Sequence, residues 1–474
     1  MTFEGSYTVE FAMTRKAKRP QNAMLPISLE ENPSFWQDQR MAIEQAVTLA
    51  DLLNAAWQLA CSLTIWLVES RLNERGQCSS PWRECPQCGK RLESKGLKER
   101  QLRTPFGVIR WKRHVGRCPK KCRIGQIAPL DQELGLIPNQ RMDESIKRKT
   151  CLLAVFVPFE TASVLFAQLS GVTVSATVIW QWVQQVGKQL AAQLDTELEA
   201  LAAGRLPSEE PLPPELAECP LIMGGDGVMV PFRAQKGSPR GKTVYREVKV
   251  GILARLVPHV NRAGKLVARL EQRRLVAVVG SLDQFGPRLW LEAVRQGIQQ
   301  ASRVVWLSDG AKGLWGLFDT WFAPYAQGVL DFYHAAQQLW RGVQVWLDGR
   351  TRHAKAWFSQ ARHRLRHGET AEVLKDLHAA TTLPDLPDST RDTLKRVYDY
   401  LDRHHDHIDY ERLKDLGLPI GSGLVESACK WLIQQRFKSV GMRWAEESFT
   451  HLLLLRLAWV NGRFDDAFPS SPKL

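Results

Sequence analysis

The chain has 474 residues, too many for one simple hydrophobic core, so its length calls for two to four domains. With 44% hydrophobic and 24% charged residues it has the composition of an ordinary soluble globular protein. Lys and Arg total 64 against 50 acidic residues, a formal net charge of +14, which points to a polyanionic partner: nucleic acid first, an anionic membrane second.

The first twenty residues lack the apolar stretch of a secretory signal and end in the basic cluster Arg15-Lys16-Ala17-Lys18-Arg19. Helical spacing of apolar residues then runs through 35–75, marked by Ile43, Val47, Leu52, Trp57, Leu63 and Leu67. The uncharged run 52–68 sits at the short limit for a membrane span and contains Asn54, Gln58, Ser62 and Thr64. It reads as a buried helix of a soluble protein, with no membrane partner. Residues 1–76 are taken as an N-terminal helical region.

Residues 77–128 change character, with short strands and four cysteines. Cys85-Pro-Gln-Cys88-Gly and Cys118-Pro-Lys-Lys-Cys122 pair a C-x2-C with a C-x3-C knuckle, a spacing suited to four thiolates around a structural zinc ion. His114 could replace one cysteine. Four protein ligands would leave no open position for catalysis. The segment between the knuckles reads as a hairpin, and the ribbon is basic (Arg83, Lys90, Arg91 and others through Arg117), which suits DNA or simply a solvated face. The nine cysteines of the whole chain, odd in number and unevenly spread, argue against a secreted disulfide framework and for a reducing cytosol.

Within 129–206, an amphipathic helix leads to Gly171, a Ser175 cap and a second amphipathic helix, the pattern of a helix-turn-helix. Gln181, Gln184, Gln185 and Lys188 on the second helix are the candidate DNA readers. The Pro- and acid-rich stretch 207–214 is the clearest linker in the chain.

Beyond it, strands are expected at 221–230, 244–256 and 274–279, then a helix at 287–300, a strand at 303–307, a helix at 314–322 and a strand at 328–332. Residues 335–413 read as helical, with a Pro-rich break at 383–387, and a last helical block covers 424–460. This order is that of an RNase H-like α/β domain. Residues 219–334 would form its first part, 335–417 a helical insertion, and 418–474 its closing helices and tail. The fold class expected is therefore multidomain α/β: an RNase H-like catalytic domain with a helical insertion, preceded by a zinc ribbon and a helix-turn-helix.

Three acids fall at matching places. Asp226 lies on the first strand, Asp309 at the exit of the fourth and Glu426 near the start of the closing helix. Acids arriving from three elements suit two divalent ions about 3.5–4 Å apart, and hard oxygen ligands select Mg2+ or Mn2+. Singly, each has a plainer reading: Asp before Gly is a common turn residue, and Glu426 suits an early helix position. Lys430 and Gln434 lie one and two turns beyond Glu426 and could follow a phosphate backbone.

The segments around Gly224-Gly-Asp226-Gly, Leu307-Ser-Asp309-Gly-Ala, Leu330-Asp-Phe-Tyr-His334-Ala-Ala, Gly421-Ser-Gly-Leu-Val-Glu426-Ser-Ala-Cys-Lys and Gln435-Arg-Phe-Lys-Ser-Val-Gly-Met-Arg-Trp444 resemble the ISKra family of bacterial insertion-sequence transposases, in the DDE superfamily. The resemblance implies metal-dependent cleavage at transposon ends, transfer of the 3′-hydroxyl into target DNA, a homo-oligomer that pairs two ends, and a place in the bacterial cytosol or nucleoid. The Asp331-x2-His334 pattern resembles one seen beside the acids of insertion-bearing DDE enzymes. Asp331, read as the end of a strand, and His334 would then bond to each other and brace the metal site, or His334 would cap the following helix. The rival readings are a catalytically inactive DNA-binding regulator and a structure-selective nuclease that cuts without joining.

Overall fold

The computed structural model describes residues 33–77, 84–85, 87–120, 122, 126–234 and 242–468. The basic cluster at 15–19 and Arg83 lie outside these residues. The chain divides into two compact units, one of residues 1–101 and 106–130, the other of 102–105 and 131–474.

The first unit holds helices α1 (Pro33–Glu44) and α2 (Leu49–Gln77), and strands β1 (Glu93–Thr104) and β2 (Gly107–Arg117) form a two-stranded sheet. The expected helical region and ribbon are thus one unit rather than two domains, and the reason is visible along β2. Glu69 of α2 accepts a hydrogen bond from the Arg110 amide (2.6 Å) and Asn73 one from the Lys112 amide (2.9 Å), so the helix satisfies edge N–H groups that a lone hairpin would leave open. Gly76 allows this approach: a Cβ there would lie 1.9 Å from the Lys112 carbonyl oxygen. The expectation of a buried helix over 52–68 fails. Leu53 and Trp57 are 61% and 58% exposed, because only one face of α2 meets the hairpin. Among the described residues, α2 is the one helix long and apolar enough to cross a membrane.

Helix α3 (Pro129–Glu133) runs across the division at 130/131, and the second unit continues with α4 (Glu144–Phe156), α5 (Phe159–Ser170), α6 (Ala176–Ala202) and α7 (Pro214–Ala217). There follow β3 (Leu221–Arg233), β4 (Thr243–Val260), β5 (Leu266–Val279), α8 (Leu282–Arg295), β6 (Val304–Ser308), α9 (Lys312–Trp321) and β7 (Gln327–Leu330). The rest is helical: α10 (Phe332–Trp346), α11 (Arg352–Arg366), α12 (Thr370–Thr381), α13 (Asp388–Arg403), α14 (Tyr410–Asp415), α15 (Gly423–Ala428), a π turn at Cys429–Gln434, α16 (Gln435–Phe437) and α17 (Glu446–Val460). The sheet order is β5-β4-β3-β6-β7, with β3–β4 and β4–β5 antiparallel and β3–β6 and β6–β7 parallel.

One hydrophobic core joins the sheet to α8, α9 and the helices α10–α14, centred on Phe285, Trp306, Phe322 and Leu339. A second joins Val228, Val248, Val250 and Ile252 of the sheet to α4–α6 and the closing helices. The helix-turn-helix segment is therefore not a separate domain. Its local geometry is as expected, with Gly171 at φ 70° and Ser175 accepting from the Val178 amide. Its second helix is packed along α17, and Gly187 makes room for the close approach, since a Cβ there would lie 2.3 Å from that of His451.

The stretch 207–214, expected as a linker, is a pinned strap. The Glu210 carboxylate accepts from Arg274 (2.7 Å), Gln296 (2.9 Å) and Arg463 (2.9 Å from Nε), and its amide donates to the Arg295 carbonyl (2.8 Å). The three basic or amide partners outweigh burial and hold the Glu210 carboxyl below its usual range.

Several element ends also move. Helix α8 starts at Leu282 rather than 287 and carries Pro287 inside, its first turn held by the fully buried Phe285. Strand β5 starts at 266 because β4 and β5 extend as an antiparallel ribbon past the sheet, closed by a turn in which Asn261 Oδ1 accepts from the amides of Ala263 and Lys265. The last block is broken into α15, the π turn, α16 and α17, with residues 438–445 as a connection. Asp331 does not end a strand. It caps α10, its Oδ1 accepting from the amides of Tyr333 (2.6 Å) and His334 (2.9 Å).

Candidate functional site

Parallel pairing of β3 with β6 runs through Gly224↔Leu307. Two residues further along the same register stand Asp226 on one strand and Asp309 beyond the end of the other. The two acids therefore stand side by side, Asp226 within β3 and Asp309 just past the end of β6, where the end of β6 leaves a crevice beside β3. Gly224 brings in the third element. A Cβ there would sit 2.3 Å from the Leu307 carbonyl oxygen and 2.9 Å from Val425, so glycine lets α15 lie against β3. Glu426 follows Val425 and projects into the same crevice.

Asp226, Asp309, Asp331, His334 and Glu426 all line this cleft, with Gly225, Tyr333 and the loop 420–423. Asp226 is half-buried, and its carboxyl is pushed above its ordinary value by burial first and then by the negative charges of Asp309 and Glu247, offset in part by the Gly227 amide and His334. The Gly227 amide donates to Asp226 Oδ1 at 2.6 Å, and the Ala311 amide to Asp309 Oδ1 at 3.0 Å. Glu426 is exposed and pairs with Lys430 at 2.9 Å, so Lys430 is a counter-charge to the third acid. Gln434 is exposed on the π turn and does not line the cleft.

Four residues here were given no role from the sequence, although Ser422 and Cys429 lie within the 421–430 motif. Ser422 donates from its amide and its hydroxyl to Asp331 Oδ2, both at 2.5 Å. Tyr400 of α13 donates from its hydroxyl to the Asp309 carbonyl at 3.0 Å. Burial, then the charges of Asp309 and Asp331, keep that phenol protonated. The Cys429 thiol lies 3.9 Å from Asp226 Oδ2, and burial with the charges of Asp226 and Glu426 pushes it up to about 12. Glu247 lies across from β3 and adds negative charge beside Asp226. Asp331 and His334 are not bonded side chain to side chain as expected. Asp331 spends both oxygens on α10 and on Ser422, while His334 is exposed toward the cleft.

On α6, Gln181, Gln185 and Lys188 are exposed, but Gln184 is turned inward, its Oε1 2.9 Å from His451 Nδ1. Its use as a DNA reader is corrected by that contact, which belongs to the packing of α6 on α17.

In the first unit, Cys85, Cys88, Cys118 and Cys122 bring their sulfurs within 4.8 Å of one another, and His114 is not in the group. The Cys85 amide donates to the Lys90 carbonyl, and Gly89, at φ 69°, donates to the Cys85 carbonyl (both 2.8 Å), which folds the first knuckle. Burial pushes the Cys118 thiol up, but amide groups of Cys122 and Lys120 and the thiols of Cys88 and Cys122 more than offset it, leaving it at about 6. Four clustered sulfurs with one held as thiolate could hold a zinc ion.

No family model matches the chain. It is similar to the "UPF0236 protein in vanSb 3'region" of Streptococcus gallolyticus, 27% identical over 385 residues, 79% of this chain and 76% of that one. Among solved structures it is matched with the Drosophila P element transposase strand transfer complex, at 9% identity and a TM-score of 0.25, covering 69% of this chain and 81% of that one. A likeness of that size assigns neither fold nor function.

Proposed function

We propose that this chain is a DNA transposase of the DDE type, an RNase H-like polynucleotidyl transferase whose metal ligands are Asp226, Asp309 and Glu426. The observation that carries the reading is the convergence of these three acids, from β3, the end of β6 and α15, on one cleft. The sheet order, with three antiparallel strands followed by two parallel ones, is that of the RNase H-like fold. The finer placement, in the ISKra group, rests on the motifs alone.

The donor set fits Mg2+ or Mn2+. All three side chains offer hard oxygens, and burial first, with the like charge of Asp309 after it, raises the Asp226 carboxyl. A bound pair of ions would activate a water or 3′-hydroxyl nucleophile and stabilise the leaving oxygen. The chain's own residues do the rest. Asp226 and Asp309 are held by the Gly227 and Ala311 amides, and Lys430 balances the charge of Glu426. Exposed His334 is placed to donate to a phosphate of the cut strand. DNA is the expected polyanion for a net charge of +14, with Gln181, Gln185 and Lys188 as end-reading candidates.

The test is a strand-transfer assay with paired end substrates, taken from the DNA flanking the coding sequence, and a plasmid target in Mg2+. Joined products from the wild type, absent with Asp309→Asn, are expected. Nicking without joining would make the chain a nuclease, and end binding without nicking would make it a regulator.

A further inference from the structure

The face of α2 opposite the hairpin carries Leu49, Leu53, Ala56, Ala60, Leu63 and Leu67, spaced 4-3-4-3-4. This is an a/d repeat of 3.5 residues, the pattern of a helix that packs against another helix in a coiled coil. The opposite side is already used, since Glu69, Asn73 and Gly76 meet β2. The seam is open over its first four positions and half-buried at Leu63 and Leu67. Leu49 and Leu53 are 71% and 61% exposed, Ala56 and Ala60 are exposed, and the flanking Leu52 and Trp57 are exposed as well.

The identity of the partner is written in the order of the seam. Leu-Leu-Ala-Ala-Leu-Leu reads the same in both directions, so a second α2 running antiparallel about a two-fold axis sets Leu49 opposite Leu67, Leu53 opposite Leu63 and Ala56 opposite Ala60. The two small residues fall at the axis, where the helices come closest. Such a surface is self-complementary, as a two-fold interface requires. No charge lies between Leu52 and Val68 to oppose a second copy or to select a different helix. The polar Asn54, Gln58, Ser62 and Thr64 interrupt the helix surface and suit lipid poorly. We propose that α2 pairs antiparallel with α2 of a second copy of this chain, through that seam, to make a homodimer. The pairing does not depend on the proposed catalysis.

Sedimentation of the full chain at micromolar concentration should give twice the monomer mass, and Leu53→Glu/Leu63→Glu should shift it to a monomer with unchanged zinc content and helix signal. Oxidative cross-linking supplies an arm independent of folding. The double variant Leu49→Cys/Leu67→Cys should give a covalent dimer, while either single variant should add no linked species beyond wild type. A wild-type monomer, a dimer that survives the glutamates, or links from a single variant would each overturn the pairing. So would flotation with phosphatidylcholine–phosphatidylglycerol vesicles that the glutamates abolish, which would assign the seam to lipid.

Discussion

Asp331 Oδ2 accepts both the amide and the hydroxyl of Ser422, 91 residues away in the chain, while its Oδ1 caps α10. Asp331 is 3% exposed. Its own amide donates to the Ser308 carbonyl, next to Asp309, and the Phe332 amide donates to the Ile420 carbonyl. One carboxylate therefore ties the exit of β6, the start of the helical segment and the loop that leads into Glu426. With four donors on two oxygens, it has little left to offer a metal ion.

Asp331→Asn should therefore lower the maximal cleavage rate about 10- to 100-fold, as the loss of a ligand-supporting contact does, with the half-saturating Mn2+ concentration shifted far less than by Asp309→Asn. An amide can still cap α10 but sets an N–H against the two Ser422 donors. Ser422→Ala, which keeps the backbone donor, should be milder. Direct titration of Mn2+ binding to the three variants, beside the cleavage rates of Asp331→Asn and Ser422→Ala, decides the matter. If Asp331→Asn alone loses metal affinity, Asp331 and not Asp309 is the second ligand.

Asp226→Asn, Asp309→Asn and Glu426→Gln should each abolish Mg2+-dependent cleavage and leave DNA affinity within about 2- to 3-fold, because phosphate and base contacts dominate binding. Gel shifts beside cleavage on the same end fragment test this. Near-normal cleavage by any one variant removes that residue from the site.

The raised Asp226 carboxyl has a stability consequence. A carboxyl lifted in the folded state favours folding when protonated, so its ionisation costs stability as pH rises through the carboxylate range toward neutrality. In chelator, Asp226→Asn should raise Tm by roughly 1–2 °C at pH 7, and the gain should fade below about pH 4. Added Mg2+ should erase it by stabilising the wild type alone. A variant less stable than wild type at neutral pH without metal would contradict the cost of holding that buried carboxylate ionised beside Asp309.

Much of this site was legible before the structure, and the physical reasons differ by residue. Asp226 and Asp309 could be paired from sequence because the first lies within an apolar, strand-like run and the second just past the end of another, and the order of elements puts those strands side by side. Strand ends were less legible. The first half of β5, with Arg269, Glu271 and Arg273, lies on an extended ribbon with solvent around it and has no apolar alternation to read. The Pro-rich 207–214 stretch looks like a linker because its one anchoring group, Glu210, is an ordinary acid whose three partners lie 64 to 253 residues away. Tyr400 was invisible for the same reason. It sits on a polar helix, 91 residues from the carbonyl it holds.

Zinc should be present at one ion per chain in protein purified without chelator, and Cys88→Ser should lose it and loosen the first unit, since a structural ion contributes directly to folding free energy. Elemental analysis together with hydrogen exchange across β1 and β2 would show both. A zinc-free wild type with a protected hairpin would mean that the four thiols pack without an ion.

Gly310 tests how the helical segment governs the second acid. Its φ is +85°, and a Cβ would lie 2.4 Å from the Tyr400 hydroxyl, the group that holds the Asp309 carbonyl. Alanine there meets two penalties, the left-handed backbone and the displacement of Tyr400, so Gly310→Ala should cost about 1–3 kcal/mol. Tyr400→Phe removes only the hydrogen bond and should cost about 0.5–1.5 kcal/mol. Denaturant midpoints give these stabilities, and cleavage measured well below the midpoint separates them from positioning. If Tyr400 positions Asp309, Tyr400→Phe will require more Mn2+ for half-maximal cleavage while keeping most of its maximal rate. An unchanged metal requirement with lowered stability would make the tyrosine a packing residue and nothing more. Because Gly310→Ala displaces the same hydroxyl, the two substitutions combined should cost less than the sum of the singles. Additive losses would mean that Gly310 acts through its backbone alone.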